Sequence, residues 1–124
     1  MLSINYKDPR PIYEQVRDAL RQLILSGAIA PGERLPSVRE LAASLAINPN
    51  TIQRSYRELE KLGLVNTVAG KGAFAATDGT AALRWREELM ATLSSTLREL
   101  KLLGVSESDL QSMVLAAFRK EDET

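Results

Sequence analysis

The chain contains no cysteine and no histidine. Without cysteine there is no disulfide, no thiolate nucleophile and no Cys-based zinc site. Without histidine the commonest general base, the usual catalytic triads and most transition-metal sites are gone. The carboxylate, Lys and Tyr groups that remain form no acid–base pair of recognisable spacing. An enzyme is therefore disfavoured, and no cofactor or metal is expected. No apolar run approaches the ~20 residues of a membrane span, and no signal-peptide pattern opens the chain. The expectation is a cytoplasmic protein with no membrane partner.

What is present suits a folded chain. Its 124 residues make one average domain, or a small domain with an appendage. At 44% hydrophobic and 26% charged residues it is neither disordered nor fibrous. Net charge is zero, which argues against an unspecific polycation, but the charge is unevenly spread. Residues 1–76 hold 10 Lys/Arg against 7 Asp/Glu, and residues 77–124 hold 6 against 9. Such asymmetry hints at a first part that faces nucleic acid and a second that faces something else.

The pattern along the chain is mostly helical. Leu2, Ile4 and Tyr6 alternate, as in a small strand or an arm. Pro11 suits a first helical turn, and Ile12, Val16, Ala19, Leu20, Leu23 and Ile24 follow at helical spacing before Gly27 stops the helix. Residues 28–34 read as a turn through Pro31-Gly32. Ser37-Val38-Arg39-Glu40 matches a capping box, with Val38, Leu41, Ala42 and Leu45 on the buried face. Asn48 and Pro49 mark the next helix start, with Ile52, Tyr56, Leu59 and Leu62 inward and Gly63 ending it.

Val65 to Ala76 changes character. Two short strands are predicted around Gly70-Lys71-Gly72. This is not a phosphate-binding P-loop, because the upstream glycine is missing and no Ser or Thr follows Lys71. The polar Thr77-Asp78-Gly79-Thr80 hinge predicts a division into residues 1–76 and 77–124. A helix from Ala81 to Leu103 then carries Met90, Leu93, Leu97 and Leu100 as a seam, with Leu89, Thr96 and Leu103 beside it. Gly104 stops it. Ser106 with Asp109 can cap a last helix, whose apolar face holds Leu110, Met113, Val114, Ala117 and Phe118. The leucine stripe is too short for an independent coiled coil, so it is either intramolecular core or a dimer seam. Trp85 reads as a packing residue.

Three helices and a hairpin, with two helices joined only by Ala46-Ile47-Asn48, make the pattern of a winged helix-turn-helix. The expected fold class is mainly α with a small β wing, followed by a two-helix module. In such a fold the second helix of the motif enters the major groove and meets base edges with its first residues. Asn50, Thr51, Gln53, Arg54 and Arg57 supply donors, acceptors and positive charge there, with no acid before Glu58. Asn and Gln can grip adenine bidentately, and Arg can grip guanine or a phosphate. The order also opposes helix electrostatics, which favours acids early and bases late. Arg39 is a second early cation, and Lys71 stands between two glycines where backbone can approach a phosphate closely. A helix-surface Arg or Lys is otherwise most often just solvated, and Gly70-Lys71-Gly72 can be only a tight turn.

These residues resemble a known family. Pro11-Ile12-Tyr13-Glu14-Gln15-Val16, the run from Gly27 through Pro31-Gly32-Glu33-Arg34-Leu35-Pro36-Ser37 to Ala42, the segment Asn48 to Glu60 and the wing Gly70-Lys71-Gly72-Ala73-Phe74 are similar to the N-terminal domain of GntR-type bacterial transcription regulators. The short helical remainder is similar to the YtrA-like branch, whose two helices form a dimerisation module. The resemblance implies DNA contacts at Arg39, Asn50, Thr51, Gln53, Arg54, Gly70, Lys71 and Gly72. With the dimerisation module it implies, the apolar faces make Leu89, Met90, Leu93, Leu97, Leu100, Leu110, Met113, Val114 and Phe118 the expected homodimer interface. Two positions depart: many relatives carry Arg or Ser where this chain has Pro49, and the usual wing threonine is Ala73.

The expected function is sequence-specific binding of a double-stranded DNA operator with an inverted repeat, as a repressor. The alternative is a winged-helix protein-interaction or assembly module without operator binding. Two short helices hardly enclose the ~300 Å³ or more of a small-molecule site. An unidentified small-molecule effector would have to bind at the dimer interface or against the winged domain.

Overall fold

The computed structural model describes residues 2–122. Its elements run α1 (Ile12–Ser26), α2 (Val38–Leu45), α3 (Pro49–Lys61), β1 (Val65–Val68), β2 (Gly72–Ala75), α4 (Thr80–Leu102) and α5 (Glu107–Asp122). This is a winged helix-turn-helix with a helical tail, mainly α with one small sheet. Among the described residues no helix is long and apolar enough to cross a membrane.

Local signals account for most boundaries. Gly27 closes α1 in the left-handed conformation at φ 85°, where a Cβ would be strained. Ser37 Oγ accepts from the Glu40 amide at 3.1 Å. The reciprocal half of the expected capping box, from the Glu40 carboxylate to the Ser37 amide, is not formed among the described residues, and the Glu40 charge acts on the Tyr56 phenol. Asn48 caps α3 by accepting from the Asn50 amide at 2.8 Å, and Pro49 is the first helical residue. Ala46 turns the chain between α2 and α3 with φ 56°, unusual for a residue with a Cβ.

The wing pairs β1 with β2 antiparallel, Val65 opposite Ala75 and Val68 opposite Gly72. The turn expected over residues 28–34 is present at Pro31-Gly32, but residues 32–35 also run along β2 as a third, short partner. Leu35 N donates to Ala73 O at 2.8 Å, Ala75 N to Glu33 O at 2.9 Å, and Arg34 bridges Phe74. The free edge of β2 has amides and carbonyls to satisfy, and this segment supplies the partners. Leu2 and Ile4 pack against the core without forming a strand, and Tyr6 stays exposed.

The core gathers Val16 and Leu20 of α1, Leu41 and Ala42 of α2, Ile52, Tyr56 and Leu59 of α3, and Leu35, Leu64, Val65, Ala75 and Ala81. Each large aliphatic side chain buried there contributes about 1.5–3 kcal/mol. Two buried polar residues are fully used. Gln15 exchanges hydrogen bonds with the Asn5 backbone at 3.1 Å, docking the N-terminal arm. Ser55 Oγ donates to Tyr13 O at 2.8 Å and lies 3.2 Å from Thr51 O, joining α3 to α1.

The chain divides into two compact units, Met1–Arg84 and Trp85–Thr124. The division expected after Ala76 thus falls after the first turn of α4, because Ala81 is buried in the first unit's core and Arg84 donates to Leu62 O at 3.3 Å. In the second unit Gly104 ends α4 at φ 83°, and Ser106 Oγ accepts from the Asp109 amide at 3.1 Å to start α5. None of that unit's described residues is buried.

Candidate nucleic-acid interface

Helix α3 is fixed on its inner side by Ile52, Ser55, Tyr56 and Leu59, all buried. Helical geometry then leaves Asn50, Gln53, Arg54 and Arg57 exposed on the outer side, with Thr51 half-buried. The first turn contains no acid. The amides of that turn are taken up by the Asn48 cap, so what the helix start offers an anion is its positive dipole end and the Arg54 side chain, with no carboxylate to oppose them.

The candidate residues fall into three places. Asn50, Thr51 and Arg54 share an open hollow of about 430 Å³ with Pro11, Ile12 and Tyr13 at the start of α1. There the Arg54 guanidinium carbon lies 3.7 Å from the centre of the Tyr13 ring. Gln53 faces a second hollow of about 210 Å³, formed with Pro36, Ser37 and Val38, with Arg57 and Glu60 of α3, and with Thr67, Gly72 and Ala73 of the wing. Thr67 Oγ1 donates to Glu60 Oε2 at 3.2 Å, which ties the wing to α3. Arg39, in the first turn of α2, and Gly70 and Lys71, in the hairpin turn, are exposed and belong to neither hollow.

Charge is sorted between faces. Every ion pair among the described residues lies on or beside α1. Arg10 pairs with Asp8 at 3.0 Å and with Asp18 at 2.8 Å, and Arg17 and Arg21 pair with Asp18. The Arg10 hydrogen bond holds the Asp8 carboxyl below its usual value, and Asp8 raises Arg10 in return. By contrast Arg34, Arg39, Arg54, Arg57 and Lys71 make no ion pair within the described residues. The cations on and beside α1 are thus paired within the chain, while those around α3 and the wing are left without a carboxylate partner among the described residues.

Sequence reasoning missed two members of this surface. Tyr13 sits beside the apolar stripe of α1, and no local pattern announces a contact with a helix about forty residues away. Arg34 enters only through the pairing of its segment with β2. Gly72 has φ 117°, and a Cβ there would stand 3.1 Å from Arg34 Nε, so the glycine leaves room for the Arg34 side chain beside the hairpin turn.

A capped outer helix with an acid-free start, a turn of three residues before it and a hairpin wing beside it define the DNA-binding class of winged helix-turn-helix proteins. Residues 12–75 match the family model for bacterial regulatory proteins of the gntR family. The chain belongs to the GntR family of transcription regulators, and within it to the YtrA-like branch. It is 37% identical over 100 residues to the HTH-type transcriptional repressor YtrA of Bacillus subtilis, covering 81% of this chain and 75% of that one. A GntR family transcriptional regulator from Listeria monocytogenes superposes with a TM-score of 0.73 at 33% identity, over 88% of this chain and 96% of that chain. The DNA-binding domain of AraR, solved in complex with operator ORX1, superposes with a TM-score of 0.56 at 29% identity, over 60% of this chain and 96% of that chain.

Proposed function

We propose that this regulator is a repressor that binds an inverted-repeat operator as a homodimer. The observation that carries the reading is the outer face of α3, where Asn50, Gln53, Arg54 and Arg57 are exposed and no internal carboxylate pairs with either arginine. Asn50 and Gln53 suit adenine edges, and Arg54 suits guanine or a phosphate. Arg39 and Lys71 supply phosphate contacts, with the Gly70 backbone open to close approach and Gly72 making room for Arg34 beside it. The likeness to an operator-bound domain and to a named repressor supports the same reading. It describes a binding protein with no catalytic step, working in the cytoplasm where bacterial DNA lies.

The homodimer rests on the tail. Leu89, Met90, Leu93, Leu97, Met113, Val114 and Phe118 are exposed, and Leu100 and Leu110 are half-buried. A two-fold contact through them matches a palindromic site. An effector, if one is used, would bind at that contact or against the winged domain.

The test is binding to duplex DNA from upstream of the chain's own gene, measured by fluorescence anisotropy against a scrambled duplex. The expected preference is about a thousandfold or more at moderate salt. Equal affinity for the two duplexes overturns the reading and favours a protein-interaction module.

A further inference from the structure

We infer that Tyr13, a residue of α1, is a positioning residue for Arg54, a role that rests on the DNA reading above. The guanidinium carbon lies 3.7 Å from the ring centre, which is van der Waals stacking distance. A guanidinium stacked by its face keeps its in-plane N–H donors free, and those are the donors that grip a guanine edge or a phosphate. Arg54 makes no ion pair within the described residues, so the ring is what defines its orientation.

The ring is itself held. The Tyr13 carbonyl accepts from Ser55 Oγ at 2.8 Å, one residue along from Arg54, and the Tyr13 hydroxyl donates to Glu14 Oε1 at 3.3 Å. The Ser55 bond sets the register of α1 on α3, and that register puts the ring under Arg54. A long flexible side chain otherwise loses rotamer freedom when it binds. Here that ordering is done before DNA arrives, at the rim of the hollow shared with Asn50 and Thr51. Tyr13 therefore acts on DNA through Arg54.

The experiment is a double-mutant cycle on the full chain, read by anisotropy with the operator duplex and its scrambled control. Tyr13→Leu is expected to weaken operator binding about three- to fivefold, the size of one exposed cation–π contact. Tyr13→Phe keeps the ring and stays within about twofold. In an Arg54→Ala background Tyr13→Leu has no further effect. The Arg54 Hε proton, shifted upfield by the ring in the free protein, moves back in Tyr13→Leu and not in Tyr13→Phe. Operator preference that survives with equal losses in both backgrounds, or with no loss from Tyr13→Leu, overturns the positioning role alone. No operator preference in the unmodified chain overturns the DNA reading and this role with it.

Discussion

The Tyr56 hydroxyl donates a 2.6 Å hydrogen bond to the Pro36 carbonyl, which joins the middle of α3 to the residue before the α2 cap. The start of the α2 cap is thereby held against α3 by one part-buried polar contact. Burial and then the nearby Glu40 charge push the phenol up to about 12. Tyr56→Phe should cost about 1–2 kcal/mol in chemical denaturation, since the Pro36 carbonyl is left without its donor. The phenol also sets an alkaline limit. Its folded pKa lies above the unfolded value of about 10, so its contribution is intact below pH ~10 and is lost as pH rises toward 12. Denaturation midpoints of the unmodified chain should fall in that window relative to Tyr56→Phe. Parallel pH profiles for the two proteins would contradict the assignment.

The wing carries a different test. Gly72 combines φ 117° with a Cβ position 3.1 Å from Arg34 Nε. Gly72→Ala should cost about 1–2 kcal/mol from backbone strain, and Arg34 must give way besides. Gly79 meets nothing within 4 Å and is not in the left-handed region, so Gly79→Ala should change stability by less than about 0.5 kcal/mol. Equal thermal midpoints for the two variants would show that the Gly72 backbone is not constrained as described.

Much of this fold was legible because its signals are local. Gly27, Ser37, Asn48 with Pro49, and Gly104 are caps whose chemistry acts within one turn, and the structure uses each of them. The buried faces of α1, α2 and α3 follow from helical spacing of apolar residues. Ser55 and Gln15 were illegible because a buried polar side chain is stable only where a distant carbonyl or amide meets it. The edge pairing of residues 32–35 and the stacking of Arg54 on Tyr13 are likewise contacts between elements, which periodicity does not encode. The compact units divide beyond the polar hinge for a related reason. A polar hinge marks where the chain turns, whereas Ala81 and Arg84 carry the contacts of the first unit past it.

Readout and backbone contacts should separate by mutation. Arg54→Ala should cost about 1–3 kcal/mol and flatten preference at one operator position per half-site. Lys71→Ala should weaken all sequences alike. A dimer that presents Arg39, Arg54 and Lys71 twice releases several counterions, so log affinity should fall with log salt with a slope of several units. Unchanged operator discrimination in Arg54→Ala would remove that side chain from the base-reading set. Affinity that barely responds to salt would argue against a phosphate-contacting surface.

The tail supplies the remaining prediction. Phe118 is 72% and Met113 66% exposed, and no described residue of the unit Trp85–Thr124 is buried. Water contact over so many large apolar side chains is unfavourable by roughly 25 cal/mol per Å². A second copy of the same face removes it without requiring any other protein. The tail's 9 acidic residues against 6 basic ones also keep residues 77–124 from competing for phosphate. One winged domain meets one half-site, and tethering two makes the second contact intramolecular, which can raise affinity by ~10²-fold or more. Leu93 and Leu97 lie one turn apart on α4 and are 48% and 38% exposed, so aspartate there disturbs an interface more than an interior. Leu93→Asp with Leu97→Asp should give monomers by light scattering. Their winged domain should melt as before, and full-operator affinity should fall at least about tenfold. A one-chain mass for the unmodified protein at micromolar concentration would end the dimer reading. Full operator affinity in the double variant would show that the tail does not tether.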